Sequence, residues 1–359
     1  MIQLELKSCQ VGTLIAELLK ENILDNIPLA NHILLCGIAF LLGGNATNQK
    51  NMMEEILKDP DNRVFRNIQS LIAKLGKLIL KNIDESNYKP VSSDDFEIEI
   101  IDNYDFYNTT EKYCQRKNVF EPSSTNDIIY HQECIITYRR AFKFLQLLCE
   151  NNNVENKNFV REQANKLEQI NFINTTTTEL RNLFEVICRS IVEVPEFLLD
   201  FLIEITQIPV KLNQEALMNS SFFEDLCQMG NELLKPEKLA ARSFDENSHP
   251  LEKIFGKSVQ IILSNFEGND LTTYKILDSK LDPKFLTSIL ESRFNAINVS
   301  TKRDLLEYIK LSLETEDENG RKHIQTMYPE EIMGIFEIII IFMKLEEKLK
   351  LESRLYQNY

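Results

Sequence analysis

The chain has 359 residues, 43% of them hydrophobic, with 21 Phe, no Trp and only ten Gly and ten Pro. That is enough apolar material for a sizeable core, and the few chain-breakers argue for long regular elements. Forty basic residues against 55 acidic ones give a net charge of −15, which argues against nucleic acid as a partner, since phosphate binding needs clustered Lys and Arg.

The most apolar run, Met333 to Leu345, is interrupted by Glu337 and falls short of the ~20 apolar residues of a membrane-spanning helix. No transmembrane segment and no pore are therefore expected. Met1 to Lys7 shows no secretory signal. The seven Cys form no CxxC pair, and Cys36, Cys149, Cys188 and Cys227 sit in apolar helical patterns. Reduced, buried thiols in a cytosolic compartment are expected.

In chain order, residues 11 to 26 read as one amphipathic helix carrying Val11, Leu14, Ile15, Leu18 and Leu19. Pro28 fits the first turn of a second helix, which stops at Gly43-Gly44-Asn45. A third helix spans about 47 to 58. A fourth, about 62 to 83, presents Val64, Ile68, Leu71, Ile72, Leu75, Leu78 and Ile79 as a core-facing stripe. Residues 1–83 thus read as a helical-hairpin segment.

From 84 to 127 the periodicity dissolves into an acidic stretch read as a mobile linker, far longer than an ordinary loop, with a short alternating run at Phe96 to Ile101. Helical patterning resumes near Ile128 and runs to Glu150, then over about 155 to 172. Thr176-x-x-Glu179 reads as a capping box. Pro195 and Pro209 each restart a helix, the second reaching Met229 before Gly230-Asn231. An irregular stretch at 235–250 precedes helices at about 251–267, 270–279, 283–297, 300–314 and 329–355. The fold class is all-α, an armadillo-like or HEAT-like helical-repeat solenoid with one long irregular insert; residues 128–359 form its larger part. No strict sequence period is visible.

Two stretches carry a resemblance. Ala141-Phe-Lys-Phe-Leu-Gln-Leu-Leu-Cys-Glu-Asn-Asn-Asn153, followed by Asn158-Phe-Val-Arg161, resembles the signature at the head of the RIH-associated domain. That domain is the cytoplasmic region after the ligand-binding part of inositol trisphosphate receptors and ryanodine receptors. His32-Ile-Leu-Leu-Cys-Gly-Ile-Ala-Phe-Leu-Leu-Gly-Gly-Asn-Ala-Thr-Asn-Gln49 looks like the helix and Gly-Gly-Asn segment upstream of it, and favours the trisphosphate receptors. The family has a long charged insert where this chain has 84–127. Phe285 to Phe294, Lys302 to Glu314 and Tyr328 to Ile332 follow a similar order at the far end, whereas Lys257 to Ser264 with Glu267 to Asn269 fits neither receptor cleanly.

The resemblance implies a partial Ca²⁺ site. In the family, the Glu after Leu-Leu-Cys and a later Glu-x-x-Gln supply oxygens to the activating Ca²⁺, and a segment near the channel's C-terminus completes the site. Here those positions are similar to Glu150 and to Asp225-Leu-Cys-Gln228, with Asp in place of Glu. The chemistry is sound in outline: Ca²⁺ takes six to eight hard oxygen ligands, and Asp225 and Gln228 at i and i+3 share a helix face. Glu224 competes with Asp225 for the role, although Ser221-x-x-Glu224 reads as a capping box.

Other motifs are weak. His131-x-x-Cys134 lacks a second pair at zinc spacing. Gly43-Gly44 lacks the rest of a phosphate-binding loop, and no catalytic motif is recognisable, so no enzyme is expected.

By resemblance the chain is the cytoplasmic regulatory region of an intracellular ligand-gated calcium-release channel. It would lie on the cytoplasmic face of the endoplasmic reticulum or a similar store, joined to the rest of a channel polypeptide or to sister subunits of a tetramer. The alternative is a stand-alone cytosolic α-solenoid scaffold that binds protein partners and lacks a pore.

Overall fold

A computed structural model describes residues 10–21, 23–84, 125–164, 166–186, 193–234, 250–268, 271–296 and 338–345. Among these residues the chain is all-α, as the periodicity predicts, and its packed helix neighbours form a helical-repeat array. Of the linker expected over 84–127, residues 85–124 fall outside the described residues and 84 and 125–127 are helical; the alternation at 96–101 and the helices expected at 300–314 and over most of 329–355 also fall outside.

The helices are α1 (Val11–Lys20), α2 (Ile27–Leu41), α3 (Ala46–Leu57), α4 (Arg63–Asp84), α5 (Thr125–Cys149), α6 (Val154–Arg161), α7 (Phe172–Glu185), α8 (Glu193–Thr206), α9 (Lys211–Asn219), α10 (Phe222–Leu233), α11 (Pro250–Phe266), α12 (Leu271–Lys280) and α13 (Pro283–Ala296). A short 3₁₀ turn covers Ile23–Asp25, and residues 338–345 are helical. The chain divides into two compact units. The first holds 1–170 with 186–197, and the second holds 171–185 with 198–359.

In the first unit, α5 is the central helix, packed against α2 and α4. It buries Tyr138, Phe142, Phe144, Leu145, Leu147, Leu148 and Cys149, more than one stripe, as a helix covered on several sides must. The stripe of α4 is buried at Val64, Ile68, Leu71, Ile72, Leu75 and Ile79, and Leu78 is half-buried. The helices of 11–84 and those of 125–161 thus belong to one packed unit. Gly37 permits the close approach of α2 to α5, because a Cβ there would lie 2.7 Å from the Phe144 ring. In the second unit, α7 packs on α9 and α10, and α10 packs on α13. Phe255 and Phe285 meet edge to face at 6.1 Å.

Several elements differ from the sequence reading, each for a local reason. The helix expected over 11–26 ends at Lys20 and is followed by the separate 3₁₀ turn, and Asn67 Nδ2 binds the carbonyls of Leu19, Lys20 and Glu21 at that end. Its buried face is Gly12, Ile15, Ala16 and Leu19. Leu14 and Leu18 are exposed, and on the other side Gly12 lets Phe40 come close. The helix expected over 155–172 stops at Arg161, where Gln163 folds the chain back: it accepts from the Ile170 N–H at 2.6 Å and donates to the Ile170 carbonyl at 2.7 Å.

The cap of α7 is Asn171, which accepts from Ile173 and Asn174 N–H; Thr176 lies inside the helix and donates to the Phe172 carbonyl. The expected helix from Pro209 to Met229 is two helices broken at Ser220 and Ser221. Gly230 does not stop α10, which continues to Leu233, and it sits where Phe285 packs. Of the cysteines expected to be buried, Cys149 and Cys227 are, Cys36 is exposed on the outer side of α2, and Cys188 is outside the described residues; Cys134 is also buried. Burial pushes the Cys134 and Cys227 thiols up to about 11, so both stay protonated and unreactive at neutral pH.

Asp59 begins α4. Its Oδ2 accepts the Arg63 N–H at 2.7 Å, and its Oδ1 lies 3.2 Å from Arg63 Nε. Burial alone raises this carboxyl, but the Arg63 backbone and guanidinium bonds outweigh it and hold it below its ordinary value. A depressed carboxylate stabilises the fold above its unfolded pKa, about 3.9, and loses that contribution as pH falls through the folded value. The urea midpoint of the wild type should therefore exceed that of Asp59→Asn at pH 7, with the gap closing below about pH 4. A second expectation concerns Gly37: Gly37→Leu should cost about 1–3 kcal/mol in urea denaturation, as overpacking against Phe144 outweighs the gain in helix propensity.

Candidate functional site

The site is built on three similar helix turns. The Asn48 side chain reaches back eight residues and donates to the Phe40 carbonyl at 2.7 Å. Asn156 does the same to Leu148 at 2.7 Å, and Asn213 to Ile205 at 3.0 Å. Each acceptor lies in the last turn of a long helix, and each Asn lies in the first turns of the short helix that follows. These side chains satisfy carbonyls that a helix end otherwise leaves without partners.

The match extends along the backbone. Gly43 and Gly44 are left-handed at φ 73° and 60°, Asn151 and Asn152 at 59° and 64°, and Ile208 holds the corresponding position at 54°. Gly, and then Asn, enter that region at least cost; Ile208 does so against its own preference. Asn45 then caps α3 by accepting from Thr47 and Asn48 N–H, and Asn153 caps α6 by accepting from Asn156 N–H. Phe40–Gln49, Leu148–Lys157 and Ile205–Gln214 are therefore three copies of one turn. The signal was present in the sequence as Asn followed by Gln or Lys, seven residues beyond a helix end. It was hidden because no side chain except that Asn is shared by all three copies.

In the first unit two copies are tied to each other. Gln49 Nε2 donates to the Leu147 carbonyl at 2.8 Å and to the Glu150 carbonyl at 3.0 Å, and Gln49 Oε1 accepts from Asn153 Nδ2 at 3.3 Å. Asn151 Nδ2 donates to the carbonyls of Gly43 and Gly44 at 3.2 and 2.7 Å. The two stretches that carry the resemblance, 32–49 and 141–161, are thus brought into direct contact. Glu150 follows the last residue of α5 inside this lock. Its carboxylate is 22% exposed, and Lys143 Nζ lies 3.7 Å away.

Asp225 and Gln228 lie in the second unit, on α10, where Phe222, Phe223, Leu226, Cys227, Met229 and Gly230 take the buried face. Asp225 is half-buried and Gln228 exposed. The Asp225 carboxylate accepts from Arg181 Nε of α7 at 2.8 Å and from the Ser221 hydroxyl at 2.6 Å; Arg181 also contacts Ser221. The bond to Asp225 raises the Arg181 guanidinium above its already high value. Ser221 makes no side-chain capping bond, so the expected box with Glu224 does not form. Exposed Glu224 pairs with Lys280 at 2.8 Å instead.

Among the described residues, no group of three or more His, Cys, Asp or Glu side chains is placed to hold a metal ion, and no helix is long and apolar enough to cross a membrane. The two carboxylates offer hard oxygens suited to Ca²⁺, and each faces a protein-borne cation within its own unit.

Residues 132–230 match the family described as RyR and IP3R Homology associated. No curated protein matches the chain. The matched range contains Glu150, Asp225, Gln228 and two of the three turn copies.

The buried hydrogen bonds of the turns set a direct expectation. Asn156→Ala leaves the Leu148 carbonyl buried without its partner and should cost about 1–3 kcal/mol in urea denaturation. Glu224→Gln, which touches only an exposed ion pair, should change stability by no more than about 1 kcal/mol.

Proposed function

Carrying a RyR and IP3R homology associated domain over residues 132–230, the chain is, we propose, the cytoplasmic regulatory region of an intracellular ligand-gated calcium-release channel. It is closer in kind to the inositol trisphosphate receptors, and its task is to couple ligand and Ca²⁺ sensing to a pore carried elsewhere. The observation that supports this best is the lock itself. The two stretches that resemble the channel family are far apart in sequence, yet Gln49 and Asn151 join them through buried and half-buried hydrogen bonds. Packed helical arrays transmit small displacements well, because close-packed interiors shift between discrete arrangements and resist gradual deformation.

In this reading Glu150, Asp225 and Gln228 are the protein's contribution to a Ca²⁺ site, and oxygens from another part of the channel complete the six to eight that the ion takes. Ca²⁺ entry requires Lys143 and Arg181 to give up their carboxylates. Ion pairs whose cations reach solvent, as Lys143 and Arg181 do, contribute on the order of 1 kcal/mol each, so a divalent ion with several ligands displaces them readily. The chain acts as a non-enzymatic regulatory module on the cytoplasmic face of a calcium-store membrane, within a tetrameric assembly. The second reading, a cytosolic scaffold without a pore, draws on the absence of any membrane-spanning helix among the described residues.

Two measurements test this. Blotting membrane and cytosolic fractions with an antibody to residues 84–127 separates the readings: the channel reading expects a membrane-bound band much larger than 41.9 kDa, and a soluble band of that mass would overturn it. In the channel, Glu150→Gln with Asp225→Asn should shift half-activation to at least roughly tenfold higher Ca²⁺, the equivalent of about 1.4 kcal/mol of lost binding. An unchanged Ca²⁺ dependence would remove these residues from the site.

A further inference from the structure

The lock at Gln49 has a counterpart in the second unit. Gln214 occupies the same position in the third turn copy as Gln49 does in the first, directly after the Asn that reaches back eight residues. Its Nε2 donates to the Ser264 carbonyl at 2.7 Å and to the Glu267 carbonyl at 3.3 Å. These two carbonyls are three residues apart at the end of α11, just as Leu147 and Glu150 are three apart at the end of α5. Both Gln side chains are fully buried, at 1% and 0% exposure. Both acceptor pairs end on a Glu that is followed by a left-handed residue, Asn151 at φ 59° and Gly268 at φ 68°.

We propose that Gln49 and Gln214 are equivalent coupling residues: each ties the C-terminal end of one hairpin's first helix to the turn of the hairpin before it, and Gln49 thereby positions Glu150. A helix end is the part of a helix most free to fray, since its last four carbonyls have no partner within the helix. One buried primary amide that serves two of those carbonyls removes this freedom and makes the end of α5 move with the α2–α3 turn. Removing the amide takes a donor away from two carbonyls at the helix end, which opens that segment locally before it unfolds the molecule. Lys143 sits two turns back on α5, so the direction in which the Glu150 carboxylate faces follows from how α5 ends.

The positioning role rests on the calcium reading above, whereas the coupling role does not. Hydrogen–deuterium exchange of the full 359-residue chain tests both. Gln49→Met keeps the volume and loses the donor. It should speed exchange at amides 150–157 roughly tenfold and leave 264–268 at the wild-type rate, and Gln214→Met should do the reverse. Wild-type rates at 150–157 in Gln49→Met, or equal acceleration of both windows by both variants, would overturn the coupling. Should Gln49→Met be too unstable, Gln49→Glu reports the same loss, because a carboxylate accepts from Asn153 but has no N–H for the carbonyls.

Repeating the exchange on this chain within the assembled channel, where the remaining ligands are present, in millimolar calcium chloride separates positioning from mere support. Calcium should protect 147–157 in the wild type and in Gln214→Met, should fail to do so in Glu150→Gln, and should need roughly tenfold more ion in Gln49→Met. Equal weakening in both Gln variants would overturn the positioning role. Protection that survives Glu150→Gln, or that is absent from the wild type, would overturn the calcium reading, and the calcium-free rates would still decide the coupling.

Discussion

The first unit depends on how the end of α5 is held. A long buried helix ends there in Leu148-Cys149-Glu150, and its last carbonyls must find donors away from bulk water. Two primary amides meet that demand, and a third ties the turns together in the other direction. Asn156 serves Leu148, Gln49 serves Leu147 and Glu150, and Asn151 returns the contact to Gly43 and Gly44. An amide suits this role because it donates and accepts at once without charge, so it costs far less to bury than an ammonium or a carboxylate. The Gln49 oxygen, left over after the nitrogen is used, takes Asn153 Nδ2, the residue whose own oxygen caps α6. The Asn run after Glu150 is thus backbone chemistry: two left-handed residues, a cap and an inter-turn bond in successive positions.

The sequence made the fold class and most helix starts legible, because both follow from short-range patterns. The stripe of α4 and the break at Gly43-Gly44 are local facts. What stayed hidden was decided at a distance. Leu14 and Leu18 were as apolar as Ile15 and Leu19, yet the helix buries the side that carries Gly12 and Ala16, with Gly12 against Phe40, a choice made by ring packing and not by hydropathy. Gln163 ended a helix early by binding Ile170, and Ser221 gave its hydroxyl to Asp225 where a capping box was expected. In each case a side chain with two possible partners took the tertiary one, and single-sequence patterns do not register that competition.

The candidate ligands show the same division. Glu150, Asp225 and Gln228 were named through resemblance, and their local settings were not readable in advance. Lys143 stands on α5 seven residues before Glu150, which directly follows the helix, so two turns bring it alongside. Arg181 lies on a different helix from Asp225, and no spacing rule connects them. The shorter Asp in place of Glu gains meaning here. At 2.8 Å from Arg181 and 2.6 Å from the Ser221 hydroxyl, the Asp225 carboxylate is held close to its own helix start, where the N-terminal dipole also favours an anion.

These settings bear on how such a site would respond to calcium. A carboxylate that is empty and solvated loses only water when an ion arrives. One that holds a tethered guanidinium must also release that cation, and the released charge must be accommodated nearby. The cost is small for an exposed pair, on the order of 1 kcal/mol, but it lowers affinity and couples ion binding to the movement of α7 relative to α10 through Arg181. On the Glu150 side the weaker 3.7 Å contact with Lys143 opposes less, and the rigid element is the backbone that Gln49 holds. Within its own unit each acid answers to a different constraint: a held backbone at Glu150 and a clamped carboxylate at Asp225.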